Sequence, residues 1–255
     1  MSCRTTGTLL RNSLLLLLPP VLFGCSGDPK PEGVSSRVLV YCTPADKPFA
    51  AALRPALAGA AGADVVLAPL KEPDLLAALA ATPAGDWLVC AGDGLPQTLK
   101  ERGFAADIRT VGTLRVTGVT ATAGSLQALA EAGMRVGFGK PGSALGEASA
   151  GALPADLRDA LTANITHRSD RSDELVRFLK LGALDGAFVW DGTELPPKLR
   201  RLPLPGSGGS CPLMLVRLSP GRGKQARPSR APAPDAGKLA EALESVGARA
   251  EGGTP

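Results

Sequence analysis

The sequence is poor in the residues that usually carry chemistry. It has one histidine, and aromatic side chains make up only 4% of it. That histidine, His167, lies in the polar stretch NITHRSD and is expected at the surface, so a Ser-His-Asp triad lacks a buried base. No G-x-S-x-G elbow supplies a nucleophile either. There are five cysteines, none in a C-x-x-C or other metal-ligand spacing, so no metal or other cofactor is expected. The net charge of +4 is mild, and no lysine-rich stripe with interleaved aromatics points to nucleic acid. Internal repeats are absent. These absences argue against an enzyme, a metalloprotein and a nucleic-acid binder. What the chain does have is small apolar bulk. Apolar residues make up 44%, mostly Ala, Leu and Val, which suits helices packed closely through short side chains. At 255 residues the chain can bury a substantial core.

The N-terminus reads as a secretory leader. Arg4 and Arg11 precede the apolar run Leu14 to Leu18, which is too short for a stable membrane span. VLFGC then ends at Cys25, and Leu22 and Gly24 before that cysteine resemble a bacterial lipobox. The resemblance implies cleavage after residue 24 and a lipid on the Cys25 thiol. Residues 25–36 are rich in Pro, Gly and Ser and read as a tether that holds a globular body off a membrane. Cys42, Cys90 and Cys211 remain, an odd number. They are expected as buried small apolar residues at strand ends, with one disulfide among them as the alternative. Arg217, Arg222, Lys224, Arg227 and Arg230 form a basic run without acids, read as a solvated segment.

From Arg37 onward, strand-like and helix-like segments alternate. RVLVYC (37–42), ADVVLAPL (63–70) and GDWLVCAGDG (85–94) read as buried strands. Between and after them, residues 47–62, 72–83 and 96–104 have helical spacing. Residues 108–124 form a long β-rich run able to pass from one lobe to another. Strands are expected again at 134–138, within 186–192 and at 212–218, and helices at 125–133, 143–152, 172–182 and 235–250. A helix and a short strand share 156–169. This alternation predicts an α/β fold of parallel sheets flanked by helices, with ligands at the carboxyl ends of the strands.

Gly137, Gly139 and Gly142 spell G-x-G-x-x-G between a strand and a helix. The triplet lies past the midpoint, contains Pro141, and lacks the ribose-binding acid about 20 residues on, which argues against a dinucleotide loop. Its physics remains: a flexible loop feeding a helix start offers unpaired N–H groups to an anion, and Ser143 adds a hydroxyl. The alternative is a helix start capped by Ser143 with nothing bound. Ser172 is expected to cap a second helix, with Asp173 and Glu174 favoured by its dipole. Asp185 is expected to serve the turn that precedes the strand at 186.

Four segments in order resemble the periplasmic molybdate-binding type of solute-binding protein that serves ABC importers. They are RVLVYCTPADKPFAAALRPAL, RVGFGKPGSALGEASAGAL, SDELVRFLKLGALDGAFVWDGT and CPLMLVRLSP, which together touch most of residues 37–220. The resemblance implies a two-lobed periplasmic-binding-protein-like (type II) fold with a two-strand hinge. Residues 37–112 and 200–255 would form one lobe and 113–199 the other. It implies a small oxyanion in the cleft, molybdate or tungstate, contacted by Thr43, Ser143, Ala144, Ser172, Asp173 and Trp190. It also implies an ABC permease as partner, a monomer, and a place in the cell envelope on the periplasmic or extracellular face, attached through the lipid. Two departures stand out. Trp190 occupies a place where many members carry tyrosine. The loop APLKEP has no hydroxyl where many members have a serine-rich loop, and only Lys71 there offers charge. The alternative reading is a non-transporting lipoprotein of the same fold, acting as an interaction or sensory module.

Overall fold

The computed structural model describes residues 37–81, 85–204, 209–219 and 234–244. The leader, Cys25 and the tether lie outside the described residues, as does most of the basic Pro-rich segment. Among the described residues seventeen elements follow one another. The first group is β1 (Arg37–Cys42), α1 (Lys47–Ala61), β2 (Asp64–Pro69), α2 (Glu72–Ala81), β3 (Trp87–Ala91) and α3 (Gly94–Glu101). The long strand β4 (Ala105–Thr120) leads to α4 (Leu126–Ala130), β5 (Val136–Gly139), α5 (Ala144–Ala152), α6 (Arg158–Ala163), β6 (Ile165–Ser169), α7 (Ser172–Lys180) and β7 (Gly186–Trp190). The chain returns through β8 (Arg200–Leu202) and β9 (Ser210–Leu218) to α8 (Ala236–Glu244).

The strands form one mixed sheet in the order β2-β1-β3-β9-β4-β7-β5-β6, with β8 beside β4. Both wings are parallel: β1 with β2 and β3, and β5 with β6 and β7. The middle is an antiparallel seam, in which β9 pairs with β3 and β4. One 16-residue strand links the two wings: β4 pairs with β9 up to Arg115 and with β7 from Val116 onward. The α/β class stands, with the antiparallel seam as the feature that local patterning does not show.

Two apolar clusters sandwich the first wing. Phe49, Leu53 and Leu57 of α1 pack on one face with Val40, Val89 and Leu213. Leu75 of α2 and Leu99 of α3 pack on the other with Leu88 and Val216. α1 runs through Pro55 as a single helix and stops at Gly62, whose φ of 58° is left-handed. The cysteines divide between the two faces: Cys42 and Cys211 in the first cluster, Cys90 in the second. All three are free and buried, so the disulfide alternative is not realised. Burial pushes the Cys42 thiol up to about 11 and Cys211 to about 12, which keeps both protonated and unreactive.

Candidate functional site

Two glycines of the G-x-G-x-x-G triplet, Gly137 and Gly139, are packing devices, while the third, Gly142, has open space around it and serves its loop through a left-handed φ of 75°. A Cβ on Gly137 would lie 2.6 Å from Leu184 Cδ1, and one on Gly139 would lie 2.2 Å from the Gly146 nitrogen. A Cβ on Gly146 would lie 1.9 Å from the Lys140 carbonyl oxygen. The start of α5 therefore rests directly on the end of β5, backbone against backbone. Ser143 caps α5, the role that the alternative reading of this loop gave it: the Gly146 N–H donates to its Oγ at 3.1 Å. The Ser143 hydroxyl in turn donates to the Lys140 carbonyl at 2.7 Å. Ala144 opens the helix, and its Cβ lies 3.6 Å from where a Cβ on Gly92 would sit, so α5 begins against the loop after β3.

The loop after β1 closes on itself. The Thr43 hydroxyl donates to Asp46 Oδ2 at 2.7 Å, and the Asp46 N–H donates back to Thr43 Oγ1 at 3.2 Å. Asp46 is only 5% exposed. Burial pushes its carboxyl up to about 7, against the pull of the Thr43 hydroxyl and a backbone bond at Ala91. The sequence reading passed over Asp46, although Thr-x-x-Asp before an apolar helical run has the spacing of a reciprocal capping pair.

Ser172 is the first residue of α7, and the capping position belongs to Arg171. The Ser172 Oγ accepts the Trp190 backbone N–H at 3.0 Å, which ties the start of α7 to the end of β7. The expected cap therefore gives way to a bond between elements. Asp173 pairs with Arg171 through Nε at 3.0 Å and through a second, shorter contact. The Arg171 guanidinium holds the Asp173 carboxyl below its ordinary value, helped by backbone N–H groups of Asp173 and Glu174. The first turn of α7 thus already faces a carboxylate of its own chain. His167 lies on β6, half-buried, with its ring 4.2 Å from Phe178. Asp185 receives Arg135 in a two-pronged pair at 2.8 and 3.0 Å, plus the Arg135 N–H at 2.8 Å, so it locks the strand start rather than serving its own turn alone.

A cleft of about 800 Å³ lies at the carboxyl ends of β1, β6 and β7. It brings together Ser172, Asp173 and Trp190 with Pro44, Lys47 and Phe49. Trp190 is 5% exposed and meets Phe49 edge to face, ring centroids 6.4 Å apart. Thr43 sits one residue before this lining. Ser143 and Ala144 line neither this cleft nor a smaller hollow of about 390 Å³ behind α5. Lys47, Arg171, Arg177 and Lys180 border the main cleft against two carboxylates, Asp173 and Glu194. Sequence reading missed these cations; the signal was Arg171, Arg177 and Lys180 spaced along α7 from its capping residue to its last turn. Among the described residues no cluster of three or more His, Cys, Asp or Glu side chains is placed to hold a metal ion, and no helix is long and apolar enough to cross a membrane.

Comparison with known proteins agrees with this architecture. A family model described as bacterial extracellular solute-binding protein matches residues 38–220. No curated protein matches. Among solved structures, the periplasmic molybdate-binding protein of Azotobacter vinelandii is 18% identical with a TM-score of 0.60, covering 83% of this chain and 98% of that one. The sulfate-binding protein SubI from Mycobacterium tuberculosis is 14% identical with a TM-score of 0.63, covering 86% and 88%. Iron-bound HitA from Pseudomonas aeruginosa is 12% identical with a TM-score of 0.52, covering 83% and 97%. At these identities the likeness is one of fold. The family match, which spans most of the chain, goes further: this protein belongs to the bacterial extracellular solute-binding protein family.

Proposed function

We propose that the chain is a lipid-anchored solute-binding protein of the cell envelope, held through Cys25. It works as a monomer, captures a small oxyanion and passes it to the permease of an ABC importer. Molybdate and tungstate are the first candidates, since the sequence resembles that type and a solved structure of similar fold is a molybdate-binding protein. Residues 37–112 with 200–255 form one lobe in this reading, and 113–199 the other. Of the expected contacts, Ser172, Asp173 and Trp190 line the cleft and Thr43 adjoins it, whereas Ser143 and Ala144 at the start of α5 stand outside the lining and reach a ligand only by a shift of α5 toward the cleft. The observation that carries the proposal is the cleft itself. It opens at the carboxyl ends of strands from both wings and has more cations than carboxylates on its border.

One set of bonds favours a second reading, a non-transporting lipoprotein of the same fold. The Thr43 and Ser143 hydroxyl protons are already given to Asp46 and to the Lys140 carbonyl. A buried dianion needs a full ring of donors, because each unmade bond is costly. Calorimetric titration with molybdate, tungstate, sulfate and phosphate separates the two. The transport reading expects saturable binding of molybdate or tungstate with sulfate much weaker. Silence across all four, at concentrations up to millimolar, sinks it and leaves the second reading.

A further inference from the structure

We propose that the anion this cleft takes is the head of an organic molecule: a carboxylate or phosphate monoester carrying an apolar, ring-sized body. The inference rests on the reading of the cleft as an anion-capturing site and names the ligand class for it. Three observations carry it. The first is size. The cleft holds about 800 Å³. Small organic ligands occupy pockets of about 300–1,000 Å³. A bare tetrahedral oxyanion has the bulk of only a few waters, at about 30 Å³ each, and would leave most of the space wet.

The second is the character of the walls. Phe49 and Trp190 form an edge-to-face pair, and Pro44, Val176, Leu195 and Pro196 extend the apolar surface around them. Phe49, Val176 and Trp190 are mostly buried, so a ring-sized body touches their accessible edges and the more open Pro44, Leu195 and Pro196, whereas a bare oxyanion gains nothing from them. The third is where the attraction comes from. Beside the cleft the Thr43 hydroxyl is given to Asp46, and in its lining the Ser172 oxygen already accepts the Trp190 N–H, while cationic side chains border the open space. Lys47 and Lys180 are exposed, and neither forms an ion pair among the described residues. The Arg171 fork is held by Asp173, itself largely exposed, and a ligand carboxylate or phosphate matches the geometry that fork already uses. Charge on the rim and apolar surface inside describe an amphiphilic anion.

The test is paired calorimetry on the purified protein: phenyl phosphate against inorganic phosphate, 3-phenylpropionate against acetate, and molybdate alone. We expect each organic anion to bind at least tenfold more tightly than its small counterpart and more tightly than molybdate. Trp190→Ala should erase the advantage of the phenyl compounds, and Trp190→Phe should keep part of it. Lys47→Gln, at an exposed position, should weaken the phenyl compounds several-fold without changing the melting temperature. If molybdate or phosphate binds as tightly as the phenyl compounds, the organic-anion inference falls and the oxyanion reading stands. If no anion binds, both fall. If the phenyl compounds bind but Lys47→Gln and Trp190→Phe leave their affinity unchanged, the site lies elsewhere and the inference is overturned.

Discussion

Replacing Asp46 by asparagine tests the electrostatics of the first loop. The Asp46 carboxyl is 5% exposed, and burial, with a lesser push from the Asp170 charge, lifts it from an ordinary value of 3.8 to about 7. Between those two values the folded protein holds a proton that the unfolded chain releases. Stability therefore falls as pH rises from about 4 through 7. At about 1.4 kcal/mol per pH unit, the full traverse is on the order of 4 kcal/mol. Asparagine cannot ionise, and its Oδ1 still accepts the Thr43 hydroxyl. The assay is urea unfolding of parent and Asp46→Asn at closely spaced values from pH 4.5 to 8.5. A constant offset between the two proteins is of no consequence, since it reflects the altered bond to the Ala91 backbone. What matters is its growth: the variant should gain on the parent with rising pH, by roughly 2–4 kcal/mol over the range. Parallel curves would falsify the claim that this carboxyl is buried at a cost.

The two ends of the glycine scale provide a second contrast. Gly146→Ala should cost about 1–3 kcal/mol in urea unfolding, because its Cβ would strike the Lys140 carbonyl, whereas Gly59→Ala, with nothing within 4 Å, should stabilise α1 by about 0.5–1 kcal/mol. Equal effects at both positions would show that the start of α5 does not rest on β5 as described. In acid the sign of the carboxylate effect reverses. The Arg135 guanidinium beside Asp185 holds that carboxyl below its ordinary value, so its contribution is full above about pH 4 and disappears as pH falls further. Asp185→Asn should therefore melt lower than the parent at pH 7 and approach it near pH 2.5; a gap that persists in acid would assign the loss to packing.

Local patterns in the chain carried most of the element order and little of the pairing. RVLVYC, WLVCA and GAFVW are buried runs that announce strands by composition, and all three are strands. β8 escaped notice because Arg200–Leu202 is three residues long and has no period to read. The insertion of β9 between β3 and β4 is invisible to any window, since Leu88 meets Val216 across more than a hundred residues of chain. At the candidate site, residue types were legible and their obligations were not. A serine at the head of α7 reads as a cap, but the Trp190 N–H, 18 residues further on, uses its oxygen instead. A turn aspartate at 185 reads as a turn former, but Arg135 lies 50 residues away.

This difference between residue type and obligation decides how a site of this family can be read. Hydroxyls and helix starts are what a search for an oxyanion looks for, and Thr43, Ser143 and Ser172 supply them. Two of the three give their protons to the loops that carry them, and the third accepts a backbone N–H from β7. Those bonds hold the loops after β1 and β5 and the head of α7 in place whether or not a ligand is bound. Any ligand that recruits the Thr43 hydroxyl must take it from Asp46, whose ionised form competes for the same proton. Among the described residues the cationic side chains on the rim form no ion pair except at Arg171, where the rival is the exposed Asp173 carboxylate, and Arg177 lies over the Phe178 ring. An exposed ion pair contributes only about 0–1 kcal/mol, so it yields easily to an incoming carboxylate or phosphate. Recognition by rim charge therefore costs less reorganisation than recognition by loop hydroxyls, which is why the walls and border of the cleft, rather than its helix starts, carry the information about its ligand.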